Sequence, residues 1–125
     1  MTQEQKDLMF KDLCARLPYG VKGCFRDSND ELLRSVTITY GNLKPNGMVM
    51  TGDIKPYFFP LSSMTEKQRN EYHNLCSIGT DECGDIVYFN TYESIDYLNK
   101  NYFDYRGFIP KGWAKDATGL NIYEL

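Results

Sequence analysis

The chain has 125 residues, enough for one domain with its own hydrophobic core and too few for two ordinary domains, so we expect a single domain spanning residues 1–125. A hydrophobic fraction of 42%, with ten Tyr, seven Phe and one Trp, excludes a disordered acidic chain. Fourteen basic residues against seventeen acidic ones give a formal net charge of -3, so no overall positive field recruits phosphate backbones, and non-specific nucleic-acid binding is disfavoured.

The first residues and the cysteines both indicate a reducing compartment. Residues 1–13 are polar and helix-periodic, without the basic and apolar regions of a signal peptide. No stretch approaches the run of about 18 apolar residues that spans a bilayer. The cysteines form no CxxC pair, which is typical of free thiols, with two disulfides as the alternative: Cys14, Cys24, Cys76 and Cys83. We therefore expect a cytoplasmic protein without membrane contact.

A first helix is predicted at the N-terminus. Thr2-x-x-Gln5 has the form of a capping box, in which each side chain bonds the backbone N–H of the other residue. Pro18 and Gly20 end the helix, because proline disfavours helical geometry in the residue before it and glycine supplies a turn. Between these signals, apolar residues recur at three- and four-residue spacing and form one stripe: Met9, Phe10, Leu13, Cys14 and Leu17.

A change to period-two alternation after the first helix predicts strands. Three segments carry this pattern and favour an antiparallel meander: residues 21–26, 33–40 and 48–54. Turn-forming side chains at residues 27–30 separate the first two. Residues 53–60 are extended between two prolines. Because proline cannot donate to a sheet ladder, we expect this segment at an edge or across the rim of the core.

Two more helices and a fourth strand are predicted in the second half of the chain. Ser63-x-x-Glu66 and Thr65-x-x-Gln68 are overlapping capping boxes at the head of a short, well-exposed helix. The apolar run at residues 86–89 indicates a strand that is buried on both faces or nearly so. Asn90-x-x-Glu93 caps a third helix.

Together these elements predict an α+β fold. We expect a small antiparallel sheet of about four strands packed against about three helices. The first and third helices cover the sheet, and the second lies at the periphery. Residues 108–125 are predicted to form an irregular C-terminal segment on the domain, because prolines and glycines interrupt their apolar residues.

A cluster of imidazole and thiols is the strongest metal candidate. His73 and Cys76 are three residues apart on one helix face, and Cys83 in the following loop supplies a third soft ligand. No fourth ligand stands at the spacing of a known zinc module, and the alternative is a half-exposed helix histidine beside a core cysteine. His73 is also the only histidine available as the base of a cysteine nucleophile.

Residues 102–113 crowd aromatic and basic side chains. Aromatic rings stack on planar ligands, and neighbouring cations hold phosphate. Five residues are therefore candidates for binding a protein, a nucleotide-like ligand or single-stranded nucleic acid: Tyr102, Tyr105, Arg106, Lys111 and Trp113. The alternative is that the rings anchor a coil over the sheet, with Asp104 and Arg106 paired or satisfying loop carbonyls.

Three motifs, KDLCARLPYGV at 11–21, IKPYFFPLSSMT at 54–65 and FDYRG at 103–107, resemble a group of short hypothetical proteins of Bacteroides-type gut bacteria and their phages. The resemblance touches both ends and the middle of the chain. It implies a bacterial or phage cytoplasmic protein, and it brings no activity, cofactor or catalytic residue with it.

These observations favour a non-enzymatic binding or interaction protein over an enzyme. We expect a protein partner or a small ligand and no cofactor, and the sequence leaves the oligomeric state open. The alternative function is a small enzyme or a thiol–metal module that uses His73 with Cys76 and Cys83.

Overall fold

The structure is a computed structural model, and it describes residues 1–25 and 34–123. The turn predicted at residues 27–30 lies outside the described residues. Within the described ranges the chain forms four helices, which are α1 (Gln3–Arg16), α2 (Tyr40–Leu43), α3 (Glu66–Leu75) and α4 (Tyr92–Lys100). The strands in the same ranges are β1 (Lys22–Phe25), β2 (Val36–Thr37), β3 (Ile54–Pro60), β4 (Ser77–Thr80), β5 (Ile86–Phe89), β6 (Phe103–Asp104) and β7 (Lys115–Asp116). The predicted α+β class is confirmed.

Strand β3 is the centre of a five-stranded sheet. β1 pairs antiparallel with its first half, where Cys24 lies opposite Lys55. β7 and β6 pair parallel with its second half, opposite Phe58 and Phe59. Tyr57 and Phe58 are buried, so the expected edge position of this segment is wrong. The two prolines are tolerated because each neighbouring strand pairs with only two or three residues of β3, and no long ladder is interrupted.

The predicted meander is right only in part: β2 pairs antiparallel with β1, but it is shorter than predicted, and β3 pairs with β1 and not with β2. Of residues 33–40, only Val36 and Thr37 form a strand, and residue 33 lies outside the described part of the chain. The N–H of Thr39 donates to Asn42 Oδ1 at 2.8 Å, and this capping box starts α2 in place of a longer strand. Residues 48–53 form turns instead of a third strand. A local side-chain bond thus competes with the period-two pattern and prevails.

Helix α1 begins and ends where the sequence predicts. Thr2 and Gln5 form the capping box, and Gly20, with a φ of 71°, ends the 3-10 turn that follows the helix. Met9 and Leu13 of α1 pack in the main core with Phe58 of β3 and with Phe108. The sheet therefore packs against α1 on the side that the apolar stripe predicts.

The second half of the chain forms a separate two-stranded sheet between two helices. β4 and β5 pair antiparallel, with Thr80 opposite Ile86, and the five residues 81–85, among them Gly84 at a φ of 83°, join them. The position of β5 as a strand is confirmed, but its predicted burial is wrong, because the side chains of Ile86, Tyr88 and Phe89 are exposed. The capping box of α4 begins at Thr91, one residue after the predicted position.

Candidate functional site

A buried ion pair lies where α1 faces the segment around β6. Arg16 Nε is 3.0 Å from Asp12 Oδ2, and both side chains are 0% exposed. Arg16 Nη2 also donates to the carbonyl of Phe103 at 2.7 Å, and the guanidinium lies 4.1 Å from the centroid of the Phe58 ring. Among the described residues, Arg16 Nη1 has no hydrogen-bond partner. Because the pair is closed to solvent, it ties α1 to β6 instead of forming a binding site.

Two of the predicted binding residues belong to this same network. Arg106 Nε donates to Asp12 Oδ1 at 2.9 Å, and the Arg106 side chain is 23% exposed. The guanidinium carbon of Arg106 lies 5.0 Å from the centroid of the Tyr105 ring, and the Tyr105 hydroxyl donates to Asn99 Oδ1 at 2.9 Å. Arg106 and Tyr105 therefore hold internal contacts, and their role in binding a partner stays a prediction.

Lys111 and Trp113 form a second pair further along the chain. Lys111 is exposed, and its Nζ lies 5.0 Å from the centroid of the Trp113 ring. Trp113 is half-buried, with its ring centroid 5.6 Å from that of Phe108 in the main core. Trp113 thus anchors this segment on the core, and Lys111 covers the ring from the solvent side. Binding by this pair also remains a prediction.

Tyr102 has a backbone conformation that is costly for a bulky residue. Its φ is 63°, and a left-handed conformation costs an L-residue about 1–2 kcal/mol. Several contacts hold it there. The carbonyl of Tyr102 accepts from the N–H of Phe59 at 2.8 Å, and its hydroxyl donates to the carbonyl of Tyr19. The ring stacks on Tyr123 with centroids 3.6 Å apart and planes 9° apart. Such over-determined strain is typical of functional sites.

A cavity of about 400 Å³ lies beside the Tyr102–Tyr123 stack. The end of β3, the turn between α4 and β6, and residues 117–123 surround it. In the described part of the chain, two non-glycine residues have a positive φ, Tyr102 and Asn121, and both line this cavity. Sequence analysis identified Tyr102 but missed Asn121 and Tyr123, because nothing in their local pattern places them beside residue 102.

The cavity wall is polar but uncharged. Its described lining contains the amides of Gln68, Asn101 and Asn121 together with aromatic and small residues, and it contains no Lys, Arg, His, Asp or Glu. Burial raises the pKa of both Tyr102 and Tyr123 above the usual range of a tyrosine, so both phenols stay neutral. The cavity therefore offers rings, amides and hydroxyls without a formal charge.

The β4–β5 hairpin concentrates exposed apolar side chains. Ile78 is 69% exposed, Ile86 65%, Phe89 54% and Tyr92 95%. We call Ile78, Ile86, Tyr88, Phe89 and Tyr92 the hairpin surface. The pairing register places Ile78, Tyr88 and Ile86 on one face of the hairpin and Phe89 on the other, and Tyr92 lies on α4. Exposed apolar side chains that share a face mark interaction sites on proteins. Sequence analysis missed this surface because four consecutive apolar residues in a strand predict burial.

His73 and the two predicted thiol ligands lie in different surroundings. The His73 ring stacks on Tyr88 of β5, with centroids 3.8 Å apart and planes 4° apart. Cys76 is half-buried at the end of α3, and Cys83 is exposed in the loop of the hairpin. Within residues 1–25 and 34–123, no three His, Cys, Asp or Glu side chains gather to hold a metal ion. The geometry gives the thiol–metal alternative no support.

No protein-family model, curated protein or solved structure matches this chain. None of the helices in the described part of the chain is long and apolar enough to cross a membrane.

Proposed function

We propose that this chain is a non-enzymatic interaction protein of a bacterial or phage cytoplasm, and that it pairs with a second copy of itself along the outer edge of β5. The observation that carries the proposal is the part of the hairpin surface formed by Ile86 and Tyr88, which are exposed on one face of β5 beside a strand edge that no described strand pairs with. The proposed bacterial or phage origin comes from the resemblance of three motifs to bacterial and phage proteins and stays a prediction.

The backbone of β5 has hydrogen-bonding groups to offer a partner. The N–H of Asp81 donates to the carbonyl of Asp85 at 3.0 Å, so this pair closes the hairpin. Hydrogen-bonded and non-bonded pairs alternate along an antiparallel ladder, and the backbone groups of Ile86 and Tyr88 therefore point away from β4. Among the described residues no strand pairs with this edge.

A two-fold arrangement satisfies these groups reciprocally. Let β5 of a second copy run antiparallel to this strand, with Val87 opposite Val87. The backbone of Ile86 in each copy then forms hydrogen bonds with the backbone of Tyr88 in the other copy. The Ile86 and Tyr88 side chains then form cross-strand apolar pairs. Two hairpins become one four-stranded sheet, which is more stable than an isolated two-stranded one.

Charge and local packing are compatible with this dimer. The hairpin loop is acidic, with Asp81, Glu82 and Asp85 all exposed. In the antiparallel arrangement the two loops lie at opposite ends of the new sheet, so like charges do not meet. The His73 ring stacks on Tyr88, and Ile86, beside the edge that no described strand pairs with, is exposed.

Sedimentation velocity of the full chain over a wide concentration range tests the proposal. We expect a monomer–dimer equilibrium that Ile86→Lys weakens by about tenfold or more, because a lysine on an edge strand opposes pairing. The matched control is Thr80→Lys. Thr80 lies opposite Ile86 but on β4, away from the edge of β5 that pairs in the proposed dimer, so this substitution should leave dimerisation unchanged. Thermal unfolding of each variant verifies that it is folded.

Two results would contradict the proposal. One is a protein that stays monomeric at every concentration. The other is equal weakening by Ile86→Lys and Thr80→Lys, which would place the contact elsewhere on the hairpin.

A further inference from the structure

We infer that the cavity beside Tyr102 and Tyr123 binds a small uncharged heterocycle with hydrogen-bonding groups in its plane, of the nucleobase or nucleoside type. The inference goes beyond the proposed function, because the cavity shares no residue with the hairpin surface. Its volume of about 400 Å³ lies within the range of small-molecule sites.

The charge of the wall selects the class of ligand. No described residue that lines the cavity carries a charged side chain. A phosphate or carboxylate in the cavity would therefore lose its hydration without gaining a cation in return, which is costly. A neutral polar molecule loses much less, provided that each of its donors and acceptors finds a partner.

The amide side chains supply those partners. The Nδ2 of Asn101 donates to the carbonyl of Tyr97 at 2.9 Å, and its Oδ1 accepts from no described residue. Gln68 Oε1 accepts from the N–H of Thr65 at 2.9 Å, and its Nε2 has no partner among the described residues. The Asn121 side chain makes no hydrogen bond within the described ranges. One acceptor, one donor and one complete amide thus remain for a ligand, and amides pair with the edge of a base in this way.

Aromatic rings complete the wall. The ring centroids of Phe59 and Tyr123 are 6.0 Å apart, and the Tyr102 ring stacks on that of Tyr123. Rings of this kind pack against the flat face of a heterocycle. The combination of rings and in-plane amides fits a base better than an aliphatic ligand, which would leave the amides without partners.

The contacts around its strained backbone place the Tyr102 ring before a ligand arrives. Tyr102 and Asn121 both lie in the left-handed region, and both line the cavity. The hydrogen bonds and the stack that hold Tyr102 fix its ring without a ligand. Preorganisation of this kind reduces the entropy that binding costs.

Isothermal titration calorimetry with adenosine, guanosine, cytidine and uridine, each added to the full chain, tests the inference. We expect saturable binding of at least one nucleoside, and no tighter binding of its 5′-monophosphate, because none of the described residues that line the cavity is a cation. Asn121→Gly should weaken binding by about tenfold, since it removes the amide. Glycine keeps the left-handed backbone at no steric cost, so the fold is preserved.

The control variants separate this site from the rest of the molecule. Asn74→Ala removes an exposed amide from α3 outside the cavity and should leave the affinity unchanged. Ile86→Lys should also bind the nucleoside normally, so that the cavity and the proposed dimer are tested independently. Circular dichroism verifies the fold of each variant.

Four outcomes would overturn the inference. They are no binding of any nucleoside, saturable binding of a neutral sugar instead, a monophosphate that binds more than about tenfold tighter than its nucleoside, and an unchanged affinity in Asn121→Gly.

Discussion

Tyr97 and Tyr123 hold their phenolic protons more tightly than ordinary tyrosines. Burial, followed by the contact with Glu71, raises the pKa of Tyr97 to about 12, and its hydroxyl donates to Glu71 Oε2 at 2.9 Å. Burial also raises the pKa of Tyr123, whose hydroxyl donates to the carbonyl of Tyr57 at 2.8 Å. Both bonds require the neutral phenol, so these two residues couple stability to alkaline pH.

Removal of the Tyr97 hydroxyl tests this coupling. A folded pKa above the unfolded value of about 10 means that the native state keeps its proton longer, so the contribution to stability is complete below pH 10 and falls as pH rises through 12. In a phenolate absorbance titration, Tyr97→Phe should remove amplitude near pH 12. The titration of the native protein is compared with one of the wild type in denaturant, where the absorbance change seen near pH 12 should move towards pH 10. Loss of amplitude near pH 10 in folded Tyr97→Phe would contradict the assignment.

The contact between β1 and β3 depends on a small residue. Gly23 is buried opposite Pro56, and a Cβ there would lie 2.7 Å from Ile54 Cγ2 and 2.8 Å from the carbonyl oxygen of Lys55. Since the oxygen belongs to the backbone of the paired strand, the two strands must separate to make room. Gly23 therefore sets how closely the sheet packs at its centre.

Substitution of this glycine should weaken the whole sheet. We expect Gly23→Ala to lower the free energy of unfolding by about 1–3 kcal/mol, measured by urea denaturation. Gly41→Ala is the matched control, because a Cβ at residue 41 meets its nearest neighbour, Thr39 Oγ1, at an ordinary 3.7 Å. Equal stability of Gly23→Ala and the wild type would show that β1 and β3 adjust without cost.

Strand β5 has an apolar sequence that predicts burial, but no other part of the described chain buries it. Its four apolar residues predict burial, yet Ile86 and Phe89 are exposed and the strand has one partner among the described residues. The proposed dimer would add the missing strand and bury part of this surface. The mismatch between pattern and exposure is thus itself a reason to look for an interface at β5.

Across the whole molecule, Asp12 joins segments that are far apart in sequence. Its carboxylate accepts from Arg16 on α1 and from Arg106 after β6, while Arg16 also bonds the carbonyl of Phe103. One buried carboxylate thus faces two guanidinium groups, of which that of Arg16 is fully buried and that of Arg106 is partly exposed. Because removal of one partner leaves a buried charge uncompensated, this link is sensitive to substitution.

The strength of this link can be measured by chemical denaturation. We expect Asp12→Asn to destabilise the fold by about 3–5 kcal/mol, because it leaves the buried charge of Arg16 without a counter-charge. The control is Lys67→Gln on α3, where an exposed pair with Glu71 at 3.9 Å should contribute at most about 1 kcal/mol. A similar, small effect of both substitutions would show that Arg16 finds compensation elsewhere.

Several elements could be predicted from the sequence because short-range bonds determine them. The capping boxes at Thr2 and Thr65 start α1 and α3 where the pattern places them. Each box closes within four residues, so its energy does not depend on the rest of the fold. The exposed character of α3 follows in the same way from its polar composition.

Three features were decided only by the tertiary structure: the central position of β3, the burial of Arg16 and the composition of the cavity wall. Tyr102 and Asn121 become neighbours of one cavity only because β3, α4 and the C-terminal segment meet there. The exposure of β5 likewise depends on which strands pair with it. Burial and spatial neighbours are set by segments distant in sequence, whereas a capping bond or a turn is complete within a few residues. For this reason the fold class and the starts of α1 and α3 could be predicted from the sequence, whereas most of the cavity wall and the exposure of β5 could not.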